Sequence, residues 1–185
     1  KYGTGAFTTN INGDGCVKLP PSEILDFGTA DFTIEFWYLS NGPVTQDGAY
    51  RRVLDMGGQN TTNALQLILD IEDGGTFGYP AGAIFFWDSD NEIPRPSGTR
   101  SPTVSDNTWH HCAFVRNGTS LIEYVDGTSY VVRTISASAA FNTNSNYYVT
   151  IGANSINNAQ DRAVAHFDDF RITKGIARYT ANFTP

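Results

Sequence analysis

The stretch TWHHCAFVRNGTSLIEYVDGTSYVVRTI, residues 108–135, alternates strand-like runs with two signals for tight turns. Apolar and polar residues alternate within the runs, which is typical of strands with one buried face. Asn117-Gly118 and Asp126-Gly127 separate the runs, and such pairs readily adopt the positive φ angles of two-residue hairpin turns. The stretch therefore predicts a three-stranded antiparallel meander, with strands at 108–116, 121–125 and 129–135.

The same period of two recurs along most of the chain. In residues 31–39, DFTIEFWYL, one face is apolar and the other mixes polar side chains with Trp37. Residues 65–71 repeat the pattern with leucine and isoleucine on one face. Further strands are predicted at about 14–19, 51–56, 83–87, 147–153 and 164–172. About ten short strands without a helix signal predict an all-β fold, either a sandwich or a barrel.

Composition and charge favour one globular domain over residues 1–185. Hydrophobic residues make up 40% of the chain, which is enough to build a core. With 12 Lys and Arg against 19 Asp and Glu, the net charge is −7, which argues against nucleic-acid binding. No run approaches the roughly 20 apolar residues of a membrane helix, so we expect no membrane insertion. The N-terminus lacks Met and a signal-like segment, so we expect any targeting segment to have been removed or to lie outside this sequence.

The cysteines and histidines give no clear metal site. Cys16 and Cys112 either pair or remain free thiols, and two cysteines alone form neither a disulfide framework nor a metal set. His110 and His111 are adjacent on a predicted strand, so their rings point to opposite faces and cannot share one ion.

Three stretches of the chain resemble the laminin-G-like domains of the concanavalin A-like jelly-roll superfamily. They are 31–37 (DFTIEFW), 109–116 (WHHCAFVR) with 124–127 (YVDG), and 167–172 (FDDFRI) with 175–179 (GIARY), and 12–17 fits more loosely. The resemblance implies a jelly-roll sandwich of two antiparallel sheets with a concave face, often a calcium ion, and usually glycan or protein binding. The closing RITKGIARY resembles copies in bacterial surface proteins and tailed-phage proteins, which implies an extracellular, cell-surface or virion location.

The sequence lacks a recognisable pair of catalytic carboxylates. Retaining glycosidases place two carboxylates about 5–5.5 Å apart around the scissile bond. The laminarinase-like members of the superfamily carry them as Glu-x-Asp-x-x-Glu, and none of the five glutamates begins that pattern. Asp70 and Glu72 come closest, and we interpret them as a solvated strand end. No nucleophile-elbow motif is present either, so we expect a protein that is not an enzyme.

Calcium is the one cofactor that the sequence predicts. Alternation places Asp168 on the face of Phe170 and Ile172, so its carboxylate is expected to point toward the core and to need hydrogen bonds or a cation. Residues 10–15, NINGDG, put oxygen-bearing side chains at alternate positions before a glycine, as in the first half of a calcium loop. We therefore predict a structural calcium site that uses Asp14, Asp168 and main-chain carbonyls. The alternative is that Asp168 caps backbone amides.

Residues 73–106 form a Pro- and Gly-rich excursion in which a binding site is predicted, because long loops at the end of a sandwich often carry function. Trp37 and Trp109 belong to core-like strands and are assigned to packing, whereas Trp87 opens this loop. Aromatic faces stack on sugar rings, and amides and carboxylates bind hydroxyls. The predicted ligand-binding residues are Trp87, Asp88, Asp90, Asn91, Tyr50 and Arg51. An ordinary surface loop is the alternative.

These observations predict a non-catalytic carbohydrate-binding or adhesion module of a larger secreted, cell-surface or virion protein. Its partners would be a glycan or polysaccharide and other domains of the parent protein. The first alternative is a structural interaction or decoration domain without a glycan ligand, such as a phage-tail module. The second alternative is a glycoside hydrolase or lyase with an unrecognised site.

Overall fold

The computed structural model describes residues 5–9, 15–40, 50–58, 62–70, 79–88, 93, 100–156 and 161–185, with Tyr50 described only in its backbone. These residues form eleven β-strands and no helix: β1 Phe7–Thr9, β2 Val17–Leu19, β3 Phe32–Ser40, β4 Tyr50–Asp55, β5 Leu65–Asp70, β6 Ile84–Asp88, β7 His110–Asn117, β8 Ser120–Val125, β9 Thr128–Thr134, β10 Val149–Ile151 and β11 Ala165–Lys174. Within this part of the chain, no helix is long and apolar enough to span a membrane.

Two antiparallel sheets face each other, as predicted for a jelly-roll sandwich. The six-stranded sheet has the order β1-β11-β3-β7-β8-β9, and the five-stranded sheet has the order β2-β10-β4-β5-β6. The predicted meander is confirmed as β7-β8-β9. Its second turn uses Asp126-Gly127 as predicted, with φ of 50° and 76°. The first turn lies one residue later than predicted, at Gly118-Thr119, because Asn117 pairs with Ser120 and Gly118 alone supplies a positive φ.

The core lies between the sheets and follows the predicted alternation. Phe32, Ile34, Phe36 and Tyr38 of β3 are fully buried. The leucines of β5 oppose them from the five-stranded sheet and belong to the same apolar cluster. Both cysteines are free thiols, with Cys112 buried in this core and Cys16 half-buried.

The last strand contains a β-bulge that resets its alternation. Asp168 pairs with Trp37, whereas the next pair in register is Arg171 with Glu35, so β11 carries one extra residue opposite β3. Asp169 lies within the bulge and has a φ of 48°. Asp168 therefore shares the outer face of Trp37 instead of pointing into the core. The prediction that Asp168 faces the core was wrong because strict alternation does not survive an inserted residue.

The C-terminal segment covers the outer face of the six-stranded sheet. Ala177, Tyr179 and Phe183 pack against buried residues of β7 and β8. The rings of Tyr179 and Phe183 are stacked, with centroids 3.6 Å apart. The backbone N–H of Phe183 donates to the carbonyl of Gly127 at 2.9 Å. Trp37 lies on the same outer face and lines a cleft there together with Tyr179 and Pro185, and it is only 5% exposed.

Candidate binding surface on the five-stranded sheet

Trp87 lies on β6, the edge strand of the five-stranded sheet, and is partly exposed on the outer face. The covered part of its side chain packs on a second apolar cluster, which consists of Ile68, Tyr79, Ala83, Phe85 and Val131. Trp87 thus combines a firm apolar base with an accessible part, as a ring that stacks on a sugar must.

A buried ion pair fixes the backbone beside Trp87. The carboxylate of Glu123 accepts a hydrogen bond from the N–H of Phe86 at 3.1 Å, and the guanidinium of Arg133 donates to the carbonyl of Phe86 at 3.1 Å. Glu123 and Arg133 also pair with each other. These contacts join the edge strand of one sheet to β8 and β9 of the other. The position of Trp87 is therefore set by the sandwich and not by a loop.

The structure places Asp88 differently from the prediction. Asp88 pairs with Leu65, so it shares the inward face of that residue, and it is only 4% exposed. Its Oδ2 accepts the N–H of Ile93 at 3.1 Å. Asp88 therefore does not lie on the exposed rim beside Trp87, because successive strand residues point to opposite faces. The predicted partners Asp90 and Asn91 lie outside the described residues.

Arg51 and Tyr50 do not form one rim with Trp87 either. Arg51 pairs with Leu69 and is only 8% exposed, whereas Trp87 pairs with Gln66. Leu69 is three positions after Gln66 on β5, so Arg51 and Trp87 are offset by about 10 Å along the strand direction. Tyr50 pairs with Asp70, one residue further away. The sequence could not predict this offset because it depends on the register of two hairpins.

The residues beside Trp87 on its own face are Gln66 and then Asp55. The two register pairs, Gln66 with Trp87 and Asp55 with Gln66, form one row across β6, β5 and β4. Thr150 of β10 continues the row beyond Asp55. Sequence reasoning missed this row. The leucines that alternate with Gln66 predicted that its side chain points to the outer face of the sheet. They did not predict which residues of β4 and β6 lie beside it.

Asp55 ties together two loops at the end of this row. Its Oδ1 accepts the N–H groups of Gly57 at 3.2 Å and Gly58 at 2.8 Å, and its Oδ2 accepts the N–H of Ser155 at 3.0 Å. Gly58 has a φ of 87°, and a Cβ there would lie 2.8 Å from Cγ1 of Ile156. The two loops therefore pack closely, with the Asp55 carboxylate between them.

Two buried polar groups flank Asp55 and have no hydrogen-bond partner among the described residues. Neither Oε1 nor Nε2 of Gln66 has a hydrogen-bond partner within the part of the chain that the structure describes, and Gln66 is fully buried. The hydroxyl of Ser155, which is 6% exposed, has none there either. A buried polar group left unsatisfied costs about 1–3 kcal/mol, so such groups call for an explanation.

A cleft lies on the outer face of the six-stranded sheet. This cleft of about 380 Å³ is lined by Glu35, Trp37, His111, Asp169, Phe170, Arg171, Tyr179 and Pro185. Glu35 accepts hydrogen bonds from Nε of Arg171 at 2.9 Å and from the hydroxyl of Tyr179 at 2.6 Å. Nε of Arg178 lies 2.9 Å from the same carboxylate. Because Arg178 and Tyr179 belong to the C-terminal segment, we interpret this cluster as the fastening of that segment.

The environment of Glu35 keeps it charged. Burial opposes the charged form, but hydrogen bonds from His111, Tyr179 and Arg171, together with the charge of Arg171, outweigh it and lower the pKa of Glu35 to about 2. Glu35 is therefore an anion at neutral pH.

The described residues do not assemble the predicted calcium ligands. They contain no group of three or more His, Cys, Asp or Glu side chains that could hold a metal ion. Oδ1 of Asp168 accepts the N–H of Asp169 at 2.9 Å, which agrees with the alternative of a capping carboxylate. Because Phe7 pairs with Phe167, the residue beside Asp168 on the neighbouring segment is Ala6, whose side chain cannot bind a metal ion. Asp14 lies outside the described residues.

Comparisons with known proteins agree with this architecture. The binding domain of Paraclostridial Mosquitocidal Protein 1 superposes with a TM-score of 0.55 at 17% identity, over 92% of this chain and 40% of that one. Domains LG4-5 of the mouse laminin alpha1 chain give 0.59 at 12% identity, over 96% of this chain and 44% of that one. This chain thus spans less than half of either structure.

A third structure matches over most of its own length. Domain 4 of an extracellular arabinanase from Geobacillus stearothermophilus, solved in complex with arabinotriose, gives a TM-score of 0.56 at 15% identity, over 94% of this chain and 82% of that one. Curated protein sequences provide no match. A laminin-G family model, described as concanavalin A-like lectin/glucanases superfamily, matches residues 12–177. This chain therefore belongs to the concanavalin A-like lectin/glucanase superfamily.

Proposed function

We propose that this chain is a non-catalytic carbohydrate-binding module of a larger extracellular, cell-surface or virion protein, and that it holds its glycan against Trp87. The observation that carries the proposal is the partly exposed ring of Trp87 on the same sheet face as the amide of Gln66, which has no partner among the described residues. Sugar recognition combines an aromatic platform with hydrogen-bonding groups beside it, and the row from Trp87 to Asp55 supplies both.

Similar structures support a binding role. One is a toxin binding domain, and another is an arabinanase domain in complex with arabinotriose. Fold alone does not fix function, so Trp87 and its neighbours carry the proposal.

The buried glutamates support the absence of catalysis. Glu35 is engaged by the C-terminal segment and Glu123 by Arg133 and the backbone of β6. Both carboxylates thus have structural partners, whereas a glycosidase needs a carboxyl pair that faces the scissile bond.

The test is binding of the purified protein to an array of polysaccharides, with two tryptophan variants compared. Trp87→Ala should weaken binding at least several-fold, because a stacked ring contributes about 0.5–1.5 kcal/mol beyond burial. Trp109→Ala is the matched control, since Trp109 is also partly buried but precedes β7 of the other sheet; it should bind as the wild type does.

Three outcomes would contradict the proposal. If the wild type binds no polysaccharide, a structural interaction domain becomes the better interpretation. If Trp87→Ala binds unchanged, the site lies elsewhere. Sustained release of reducing sugar by the pure protein, abolished by changing one acidic residue, would make it an enzyme.

A further inference from the structure

We propose that Gln66 and Ser155 form the polar half of the glycan site and select a neutral sugar with two adjacent hydroxyl groups. This inference rests on the proposed function and adds to it the class of sugar and the residues that recognise it. It starts from the two buried polar groups beside Asp55 that have no partner among the described residues.

The position of Gln66 suits a ligand stacked on Trp87. The two residues are directly opposite on neighbouring strands, and Cα atoms of such pairs lie about 4.5–5.5 Å apart. A sugar ring lying on the indole therefore has its edge beside Gln66, and it reaches the amide where the atoms that enclose Gln66 move aside. Ser155 lies at the far side of Asp55, since its N–H binds that carboxylate, and it can contact a ligand that extends from Trp87 across two strands, about 10 Å.

The chemistry of an amide matches a pair of adjacent hydroxyls. Nε2 donates to one hydroxyl oxygen while Oε1 accepts from the other hydroxyl. The hydroxyl of Ser155 can donate a hydrogen bond to a sugar hydroxyl or accept one from it. Gln66 is enclosed in the free protein, but no hydrogen bond from the described residues holds its amide in place. Its side chain can therefore turn toward a ligand without breaking a hydrogen bond to a described residue, once the atoms that enclose it move aside.

The charge around this pair favours a neutral sugar. Gln66 and Ser155 carry no charge, and the carboxylate between them, Asp55, already accepts three backbone N–H groups. Arg52 lies on the same face, since it pairs with Ile68, two residues from Gln66 on β5. The charged side chains of β4 on this face thus have opposite signs, which favours an uncharged ligand, and the occupied oxygens of Asp55 leave the recognition of hydroxyls to the two neutral side chains.

The alternative, a structural role for Gln66, makes the opposite prediction for stability. An unsatisfied buried amide destabilises the free protein, so an apolar residue of similar size should be neutral or stabilising there. Residues whose function conflicts with stability are expected at binding sites. Gln66→Leu therefore separates the two roles, because it should keep or raise the melting temperature while it weakens binding.

The experiment measures melting temperature and binding to arabinan, xylan, mannan and polygalacturonate for the wild type, Gln66→Leu and Ser155→Ala. Thr33→Val is the control, since the buried hydroxyl of Thr33 is satisfied: it donates to the carbonyl of Ile176 at 2.9 Å and accepts the N–H of Arg178 at 3.0 Å. We expect Gln66→Leu to bind the neutral polymer about tenfold more weakly, as the loss of two hydrogen bonds implies. Ser155→Ala should bind several-fold more weakly, and Thr33→Val should lose stability but not affinity.

The outcomes separate this inference from the proposed function. Unchanged binding by Gln66→Leu, with Trp87→Ala impaired, would overturn the inference and leave the binding module standing. A fall in melting temperature for Gln66→Leu as large as that of Thr33→Val, with binding unchanged, would make the amide structural. Preferred binding of polygalacturonate would overturn the selection of neutral sugars. No binding of any polysaccharide by the wild type would overturn both proposals.

Discussion

The hydroxyl of Tyr179 donates a hydrogen bond of 2.6 Å to Glu35, and this contact fastens the C-terminal segment to the centre of the six-stranded sheet. Arg178, the preceding residue, reaches the other oxygen of the same carboxylate with its Nε at 2.9 Å. Glu35 is only 1% exposed. One buried anion therefore joins β3 to a segment far along the chain, since Glu35 and Tyr179 are separated by 144 residues.

Loss of this anion should destabilise the protein in a pH-dependent way. The pKa of Glu35 is lowered from 4.5 to about 2, so its contribution is fully present above pH 4.5 and disappears as the pH falls toward 2. That shift corresponds to about 3 kcal/mol. Glu35→Gln should lower the free energy of unfolding by this order at pH 7 and much less near pH 2. Urea denaturation at both pH values, with the exposed Glu23→Gln as control, measures the difference; equal effects of the two variants at pH 7 would contradict it.

His110 should make stability fall with rising pH. Burial favours its neutral form, but hydrogen bonds with Asp126 at 2.7 Å and Asp106 at 3.0 Å raise the pKa of His110 above its ordinary value of 6.5. The contribution is therefore fully present below pH 6.5 and is lost as the pH rises through the raised pKa. We expect the wild type to lose more stability than His110→Gln between pH 6 and pH 9. Parallel pH profiles for the two proteins would show that the ion pairs contribute nothing.

Two glycines with positive φ provide a matched test of the C-terminal segment. Gly118 has a φ of 60° and open space where a Cβ would lie, whereas a Cβ on Gly127, with a φ of 76°, would collide with the carbonyl of Phe183. Gly118→Ala should cost about 1 kcal/mol through backbone strain alone. Gly127→Ala should cost clearly more because it also displaces the segment. Equal losses in thermal denaturation would mean that the segment does not stabilise the sheet.

The strands were predicted well from the sequence because the patterns that mark them span only a few neighbouring residues. Alternation in β3 and β5 and the turn at Asp126-Gly127 are readable within a few residues. The short β1, Phe7–Thr9, was missed because three residues carry too little pattern. The predicted orientation of Asp168 was wrong because one extra residue in the β-bulge reverses which side chains of β11 face the core. The predicted neighbours of Trp87 were wrong because its true neighbours depend on which residues pair across β4, β5 and β6. Register depends on turn geometry as well as on alternation, and the connections 56–64 and 71–83 between these strands are too long to be two-residue hairpin turns that would set it.

Calcium binding stays a prediction from the sequence. A ligand that binds only the folded state stabilises it by about 2.7 kcal/mol at a hundred times its Kd. If the site uses the two predicted carboxylates, millimolar calcium should raise the melting temperature, and Asp14→Asn or Asp168→Asn should remove the gain. Equal melting temperatures in calcium and in chelator would reduce Asp168 to the capping role that its contact with the N–H of Asp169 suggests.

Trp37 and Trp87 should differ in their effects on stability because they differ in burial. Trp37 is 5% exposed, and its ring lies against that of His111 at a centroid distance of 5.2 Å. Truncation of a buried aromatic residue costs about 3–5 kcal/mol, so Trp37→Ala should unfold at much lower urea concentrations. Trp87 is partly exposed and loses only its contacts with the cluster beneath it, so Trp87→Ala should cost less than half as much. A loss for Trp87→Ala as large as that for Trp37→Ala would mean that Trp87 mainly supports the fold, and its effect on glycan binding would then no longer report a direct contact.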